Sequence, residues 1–288
     1  MLKEFIACLE KAFGKGELEI TPLSFVKCGV RHTIFNGGYA IDQTDYIKAL
    51  KPVANNLVTG SKAEDKLSEP LQKQFLSLLM ALSYAMQTRI DLGVYVVALQ
   101  RIAHEPTFTH LRRLNALVRW AQRNPLQLRH GKMKCQQLLE VQSDAGFRKE
   151  EKDGVDTGRS QRGATFMRIG AGTTASGQGR PCHILDWHCS SLKVVTISTF
   201  ASETQAAIAA TDSALMLALT MHEIRAGPVT PRQGMTLLQD GGLNFKINLG
   251  VDAMNLVSAL RNARLRTPSE RTMLCQLLWL KELLQNNC

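Results

Sequence analysis

Three acidic residues stand where carboxylates can do chemistry. Asp144 ends the apolar run Leu138-Leu-Glu-Val-Gln-Ser-Asp144, and Asp252 closes a second one, Phe245-Lys-Ile-Asn-Leu-Gly-Val-Asp252. Between them, Glu203 opens an Ala-rich stretch within Ser198-Thr-Phe-Ala-Ser-Glu203-Thr-Gln-Ala-Ala. An acid at a strand end, one on the following helix and one at a later strand end form a metal-binding constellation. Carboxylate oxygens are hard ligands suited to Mg²⁺. Two such ions, roughly 3.5–4 Å apart, activate a water and hold the leaving oxygen of a phosphodiester. The chemistry implied is metal-dependent hydrolysis of a phosphodiester.

The elements that must position these acids follow from the apolar pattern. Leu138–Ser143, Arg162–Ile169, His183–Cys189 and Phe245–Val251 read as strands, with a long helix from about Phe200 to His222. A charged turn, Arg148–Gln161, and a Gly/Ser/Thr loop, Gly170–Pro181, separate the first three strands, and Gly227-Pro228 opens a polar loop before the fourth. Thr267-Pro-Ser-Glu270 combines a capping box with proline at the first helical position, which predicts a last helix running to about Leu284. This is an α/β layout with a mixed sheet.

The preceding half is organised differently. Leu2, Phe5, Ile6, Leu9 and Phe13 share one helical face, and Ser24–Phe35 reads as one strand. Asn36-Gly-Gly turns Tyr39–Ile41 back on it as a hairpin. Asp42 caps a short helix to Leu50, and Asn55–Glu69 is a polar loop. Leu71–Met86, Asp91–Ala103 and Thr109–Gln122 are predicted helices. The last carries Leu111, Leu114, Leu117, Val118 and Ala121 on a core face, while Arg112, Arg113, Arg119 and Arg123 form a basic face. The chain therefore divides into 1–52, a hairpin unit; 53–134, a helical unit; and 135–288, the α/β unit.

Composition limits the partners. The formal charge is +10, and Arg89–Lys134 alone holds nine Lys/Arg against two acids. That surplus favours a polyanion, with the arginines of the basic face and Lys193 as candidate phosphate contacts. Seven scattered cysteines with no CxxC pair argue against a disulfide framework and for a reducing, intracellular compartment, cytoplasmic or nuclear. No secretory signal and no membrane-spanning stretch is read. Cys182-His183 and His188-Cys189 match no zinc finger, because strand alternation sends adjacent ligands to opposite faces. Trp187 reads as core in preference to a base-stacking platform, and His222 as a helix-end histidine in preference to a general base. No Ser–His–Asp grouping or phosphate-cradling glycine loop is present.

In order along nearly the whole chain, these pieces resemble the Pol polyprotein of copia-type LTR retrotransposons. Leu2-Lys-Glu-Phe through Phe25-Val-Lys-Cys-Gly29 is similar to the end of the reverse-transcriptase palm and its primer-side hairpin, and Ile41-Asp-Gln-Thr-Asp-Tyr-Ile47 to the approach to the thumb. Leu78 to Thr88-Arg-Ile-Asp91 resembles the family's helix ending in Thr-Arg-Pro-Asp, with Ile90 in place of the proline. Ser143-Asp144-Ala145, Trp187 with Ser190, Ser191 and Lys193, and Ser198-Thr199 with Glu203 follow its ribonuclease H pattern.

The resemblance implies a ribonuclease H-like mixed sheet with helices. It also implies Mg²⁺-dependent endonucleolytic cleavage of RNA in an RNA–DNA hybrid or primer–template duplex, alongside the remainder of a Pol polyprotein. In that family the residue matching Asp144 bridges two ions, the one matching Glu203 holds one and helps orient the water, and the one matching Asp252 completes the ligation. The sequence departs from the pattern in several places. The polymerase's aspartate pair has no counterpart, Ala253 follows Asp252 where the family has Asn, and Arg266-Thr-Pro-Ser-Glu-Arg271 replaces a basic, His-containing signature. The family's fifth strand and final helix, which bears a fourth metal-binding acid, are expected to be missing before Cys288. The alternative reading is a catalytically inactive, nucleic-acid-binding remnant of a transposable element.

Overall fold

The computed structural model describes residues 7–8, 10–12, 14, 23–54, 60, 62–133, 138–146, 160–170, 179–262 and 273–285. Four strands come first in space: β1 (Ser24–Lys27), β2 (Val30–Phe35), β3 (Gly38–Asp42) and β4 (Leu128–Gly131), antiparallel in that order. The single strand expected over Ser24–Phe35 is instead a hairpin. Cys28 and Gly29 take φ of 49° and 73°, the two positive angles that a tight turn matched to strand twist requires, and the chain folds back there. The hairpin at Asn36-Gly37 is as expected, pairing Phe35 with Gly38. β4 was not anticipated; it pairs with β3 and closes the sheet.

Four helices pack beneath: α1 (Thr44–Ala49), α2 (Glu69–Ala85), α3 (Gly93–Arg101) and α4 (Phe108–Arg123). A short 3₁₀ turn, Ile90–Leu92, leads into α3, so the second expected helix begins more tightly wound than predicted. Phe75, Leu79 and Leu82 of α2 meet Leu111, Leu114 and Val118 of α4 in one core. Asn115, buried in that core, accepts the Val53 N–H and donates to the Val53 carbonyl, both at 2.9 Å, so neither backbone group is stranded.

A second buried polar group matters more. Arg89, only 1% exposed, donates through Nε and Nη2 to the two carboxylate oxygens of Asp91 at 2.9 and 2.8 Å. Its Nη1 donates to the Ala121 carbonyl at 3.1 Å, and its guanidinium lies 5.5 Å from the Trp120 ring centre. Thr88-Arg89-Ile90-Asp91 therefore acts as a clamp that fixes the 3₁₀ turn to the end of α4.

The second sheet has the order β7-β6-β5-β8, from β5 (Leu138–Gly146), β6 (Gln161–Ile169), β7 (Cys182–Ser191) and β8 (Lys246–Val251). β5 pairs antiparallel with β6 and parallel with β8, so the sheet is mixed. Helix α5 (Thr199–Ala226) lays Ala210, Ala214 and Ala218 on Leu139, Val141, Ala164 and Phe166. Alanines let the helix axis approach the sheet closely. Two more helices, α7 (Met254–Arg261) and α8 (Leu274–Gln285), bury Leu256, Leu260, Leu277 and Leu280 against Ala207.

The polar loop expected after Gly227-Pro228 is largely a helix, α6 (Pro231–Asp240). Thr230 and Gln233 form a reciprocal capping box, and Pro231 supplies a pre-set first turn. The helix expected over Leu2–Phe13 lies mostly outside the described residues. So do the helix start at Thr267–Glu270, most of the charged turn after Phe147 and most of the loop after Gly170. No helix among the described residues is long and apolar enough to cross a membrane.

The two sheets meet through β7. A Cβ on Gly93 would come within 2.6 Å of the Trp187 ring, so α3 can reach the strand only with glycine there. Beside it, the Gly131 N–H donates to His183 Nε2 at 2.9 Å, and the His130 and His183 rings sit 5.2 Å apart, edge to face.

Replacing Arg89 by Met should strand Asp91 and the Ala121 carbonyl. The expected loss is about 2–4 kcal/mol, slightly under the cost of breaking a fully buried pair because Asp91 keeps some solvent contact. Urea unfolding measures it; a change below about 0.5 kcal/mol would mean that the clamp does not hold this unit together.

Candidate metal centre

Parallel pairing sets Ser143 opposite Val251, so the next residues on the two strands, Asp144 and Asp252, emerge side by side where β8 ends. Both are exposed. Along β5, Leu139, Val141, Ser143 and Ala145 turn inward to α5, and alternation sends Asp144 to the other face. Glu203 arrives from the first turns of α5, buried at 8% exposure. The three side chains each bring a carboxylate oxygen into one cluster, with all of these atoms within 4.8 Å of one another.

The start of α5 is held from several sides. Ser198 caps the helix, accepting the Ala201 N–H at 3.1 Å. Ser202, next to Glu203, shares a buried hydroxyl cluster with Ser160 at 3.0 Å and Thr196 at 2.6 Å. The cluster ties the helix start to the head of β6 and to the segment entering α5. Sequence reading missed it. Its only trace there is a run of small hydroxyl residues, and their meeting depends on a contact spanning Ser160 to Ser202.

Electrostatics distinguish Glu203 from its neighbours. Burial, reinforced by the negative charges of Asp144 and Asp252, pushes its carboxyl up to about 7, against a single backbone hydrogen bond from Ala145 that favours the charged form. Its Oε2 is buried and has no hydrogen-bond partner. An orphaned carboxylate oxygen beside two more carboxylates is a donor set of the kind that cations take. A hard divalent ion fits all three observations: it takes oxygen ligands, offsets three negative charges and fills the unmet oxygen. Asp144, Glu203 and Asp252 could thus hold a metal ion.

The other candidate residues lie elsewhere. Arg112, Arg113, Arg119 and Arg123 are exposed on α4, and Arg123 Nε donates to the Arg119 carbonyl at 3.2 Å. Lys193 is exposed on the segment between β7 and α5. Trp187, expected as core, is half-buried: it packs under Gly93 yet also lines a cleft of about 350 Å³. That cleft runs from Asp144 and Asp252 across Gly163 and Thr165 to Ile90 and Val94 at the start of α3, so a wall of the site comes from the helical unit. Sequence reading gave that unit the arginine face alone, and no wall of the acid site. Set against protein-family models and curated proteins, the chain matches none.

The raised Glu203 group makes metal-free stability depend on pH with a definite sign. Its proton is held more tightly in the fold than in the unfolded chain, where such a group titrates near 4.5. The resulting stabilisation is complete below that value and is lost as pH rises through about 7. Without divalent ions, the melting temperature should therefore fall between pH 5.5 and 8. Glu203→Gln should flatten that fall and exceed the parent at pH 8 by on the order of 1–2 kcal/mol, allowing for screening at the open side of the site. Added Mg²⁺ should restore the parent and leave Glu203→Gln largely unmoved. Calorimetric melts across pH check all three, and a pH-independent difference would contradict the assignment.

Proposed function

We propose that this chain is the nuclease portion of a copia-type retrotransposon Pol polyprotein. In this reading it hydrolyses the RNA strand of an RNA–DNA hybrid, using Mg²⁺ held by Asp144, Glu203 and Asp252. The observation that carries the reading is the convergence of these acids from β5, α5 and β8 in a sheet of order β7-β6-β5-β8. The ordered likeness of the sequence to that family adds to it. Bound there, Mg²⁺ would supply Lewis acidity and charge neutralisation at the phosphate. The chain supplies the rest. Asp144 and Asp252 present oxygens from two adjacent strand ends, and Glu203, ionised near neutrality, presents one from the buried side. The exposed arginines of α4 provide a basic face for the hybrid backbone.

A second reading, nucleic-acid binding without turnover, is favoured by one observation. Among the described residues three acids converge, whereas the family's two-ion chemistry uses four. A labelled RNA–DNA hybrid incubated with increasing Mg²⁺ separates the two. Under the nuclease reading RNA fragments accumulate with Mg²⁺, and Asp144→Asn slows their release at least about 100-fold. Salt-sensitive binding with no cleavage at any Mg²⁺ concentration would select the remnant.

The arginine face has its own test. Substituting Arg112, Arg113, Arg119 or Arg123 by Ala should reduce the steepness of log affinity against log salt by about 0.9 for each phosphate that the missing guanidinium had neutralised. Slopes unchanged by all four substitutions would remove α4 from the interface.

A further inference from the structure

The sheet that carries three acids at one end carries the opposite anomaly at the other. Arg168 and His183 are directly paired across β6 and β7, so their side chains leave the sheet on one face. Ala164 and Phe166, at alternate positions before Arg168, put that face under α5. The pair lies roughly 17 Å from the acid end, counting about 3.3 Å per residue from Gly163, opposite Asp144, to Arg168. His130 arrives from β4, its ring 5.2 Å from that of His183, and Arg225 arrives from the last turn of α5. The charges that act on Arg168, His183 and His130 all come from other members of this basic group.

Nε of Arg168 is buried and has no hydrogen-bond partner. An unmet guanidinium N–H away from water costs free energy, the more so among like charges. The C-terminus of α5 favours cations nearby, yet its carbonyls do not take this N–H. His183, 9% exposed, offers a second donor. Its Nε2 accepts the Gly131 N–H at 2.9 Å, which in the neutral ring places the proton on Nδ1. Two N–H donors on one face, within a field of one sign, suit an oxyanion.

We infer that Arg168 and His183, with His130 and Arg225 around them, bind a tetrahedral oxyanion of the phosphate class at the junction of the two sheets. The site is separate from the acids and stands whether or not they hold a metal. Arg168 and His183 belong to the second sheet and His130 to the first, so an occupied site ties β4 to β7.

The test is thermal unfolding of the full chain in EDTA, titrated with inorganic phosphate against chloride at matched ionic strength. Saturating phosphate should raise the parent's melting temperature by about 2 °C or more. Arg168→Leu removes a partly buried charge that lacks an opposite partner, so without phosphate it should melt at or above the parent, and it should gain nothing from phosphate. If Arg168→Leu does not fold, Arg168→Lys decides: it keeps the charge, loses Nε, and should bind phosphate at least about threefold more weakly. Replacing Arg112, Arg119 and Arg123 by Ala should leave the gain intact. A short RNA–DNA hybrid with and without a 5′-phosphate then separates the sources. Tighter binding of the phosphorylated hybrid that Arg168→Leu abolishes assigns the site to a nucleic-acid end. Equal binding of both, with the gain from inorganic phosphate intact, assigns it to free phosphate. A parent that gains nothing from phosphate and binds both hybrids alike overturns the inference, as does a gain that survives in Arg168→Leu.

Discussion

The structure depends on holding three like charges together. Carboxylate oxygens within 4.8 Å repel one another, and burying Glu203 adds a desolvation penalty that its single hydrogen bond does not offset. No local segment can impose such a cluster. It requires two strand ends fixed side by side and a helix pressed against them, and each of those needs its own source of stability. Parallel pairing of β5 with β8 supplies the first, in a sheet that is otherwise antiparallel. Because parallel neighbours need a long crossover, α5 and α6 lie between β7 and β8 in the chain. The alanine face of α5 then supplies the second, seating the helix on Leu139, Val141, Ala164 and Phe166.

Position within that frame is set by smaller contacts. The hydroxyls of Ser160, Thr196 and Ser202 bond one another in a buried cluster one residue from Glu203. Three short side chains of this kind lose little rotamer freedom on ordering. On the opposite side of the site, the buried Arg89–Asp91 clamp fixes the 3₁₀ turn, the turn presents Gly93, and Gly93 admits Trp187. A guanidinium buried in the helical unit thus helps to set where the α/β unit's cleft has its wall.

Much of this was legible in the sequence, and the reasons differ by element. The four strands around the acids and the long Ala-rich helix announce themselves through apolar runs and period, and the basic face of α4 through arginines placed opposite its leucines. Asp144, Glu203 and Asp252 could be singled out because local pattern alone places an acid at a strand end or a helix start. Their meeting was expected as a constellation, but the pairing that produces it, β8 beside β5 in parallel register, was not read from the sequence. The hairpin at Cys28-Gly29 was hidden by the β-rich residues on both sides, and only Gly29 hinted at it. α6 was overlooked because polar composition outweighed Thr230-Pro231 and Gln233, a start signal plainly written in the chain. The shared cleft had no sequence signal, because Gly93 and Trp187 lie far apart along the chain and neither has a pattern that points to the other.

The charge distribution links these parts into one thermodynamic argument. The chain carries a net +10, with its surplus concentrated around α4, while the cleft ends at Asp144 and Asp252, with Glu203 buried beside them. A polyanion attracted by the arginines meets repulsion wherever its backbone approaches Asp144 and Asp252, unless a cation lies between. Under the proposed function, cation and polyanion would therefore each improve the site for the other, and linkage would require the two couplings to be equal in free energy. Glu203 sharpens this dependence, because a carboxyl that titrates near 7 must give up its proton before its oxygen can serve as a ligand. Under the proposed function, proton release, cation uptake and polyanion approach at this site would form one coupled equilibrium, with Glu203, raised by burial and by its two acidic neighbours, as the proton-linked member.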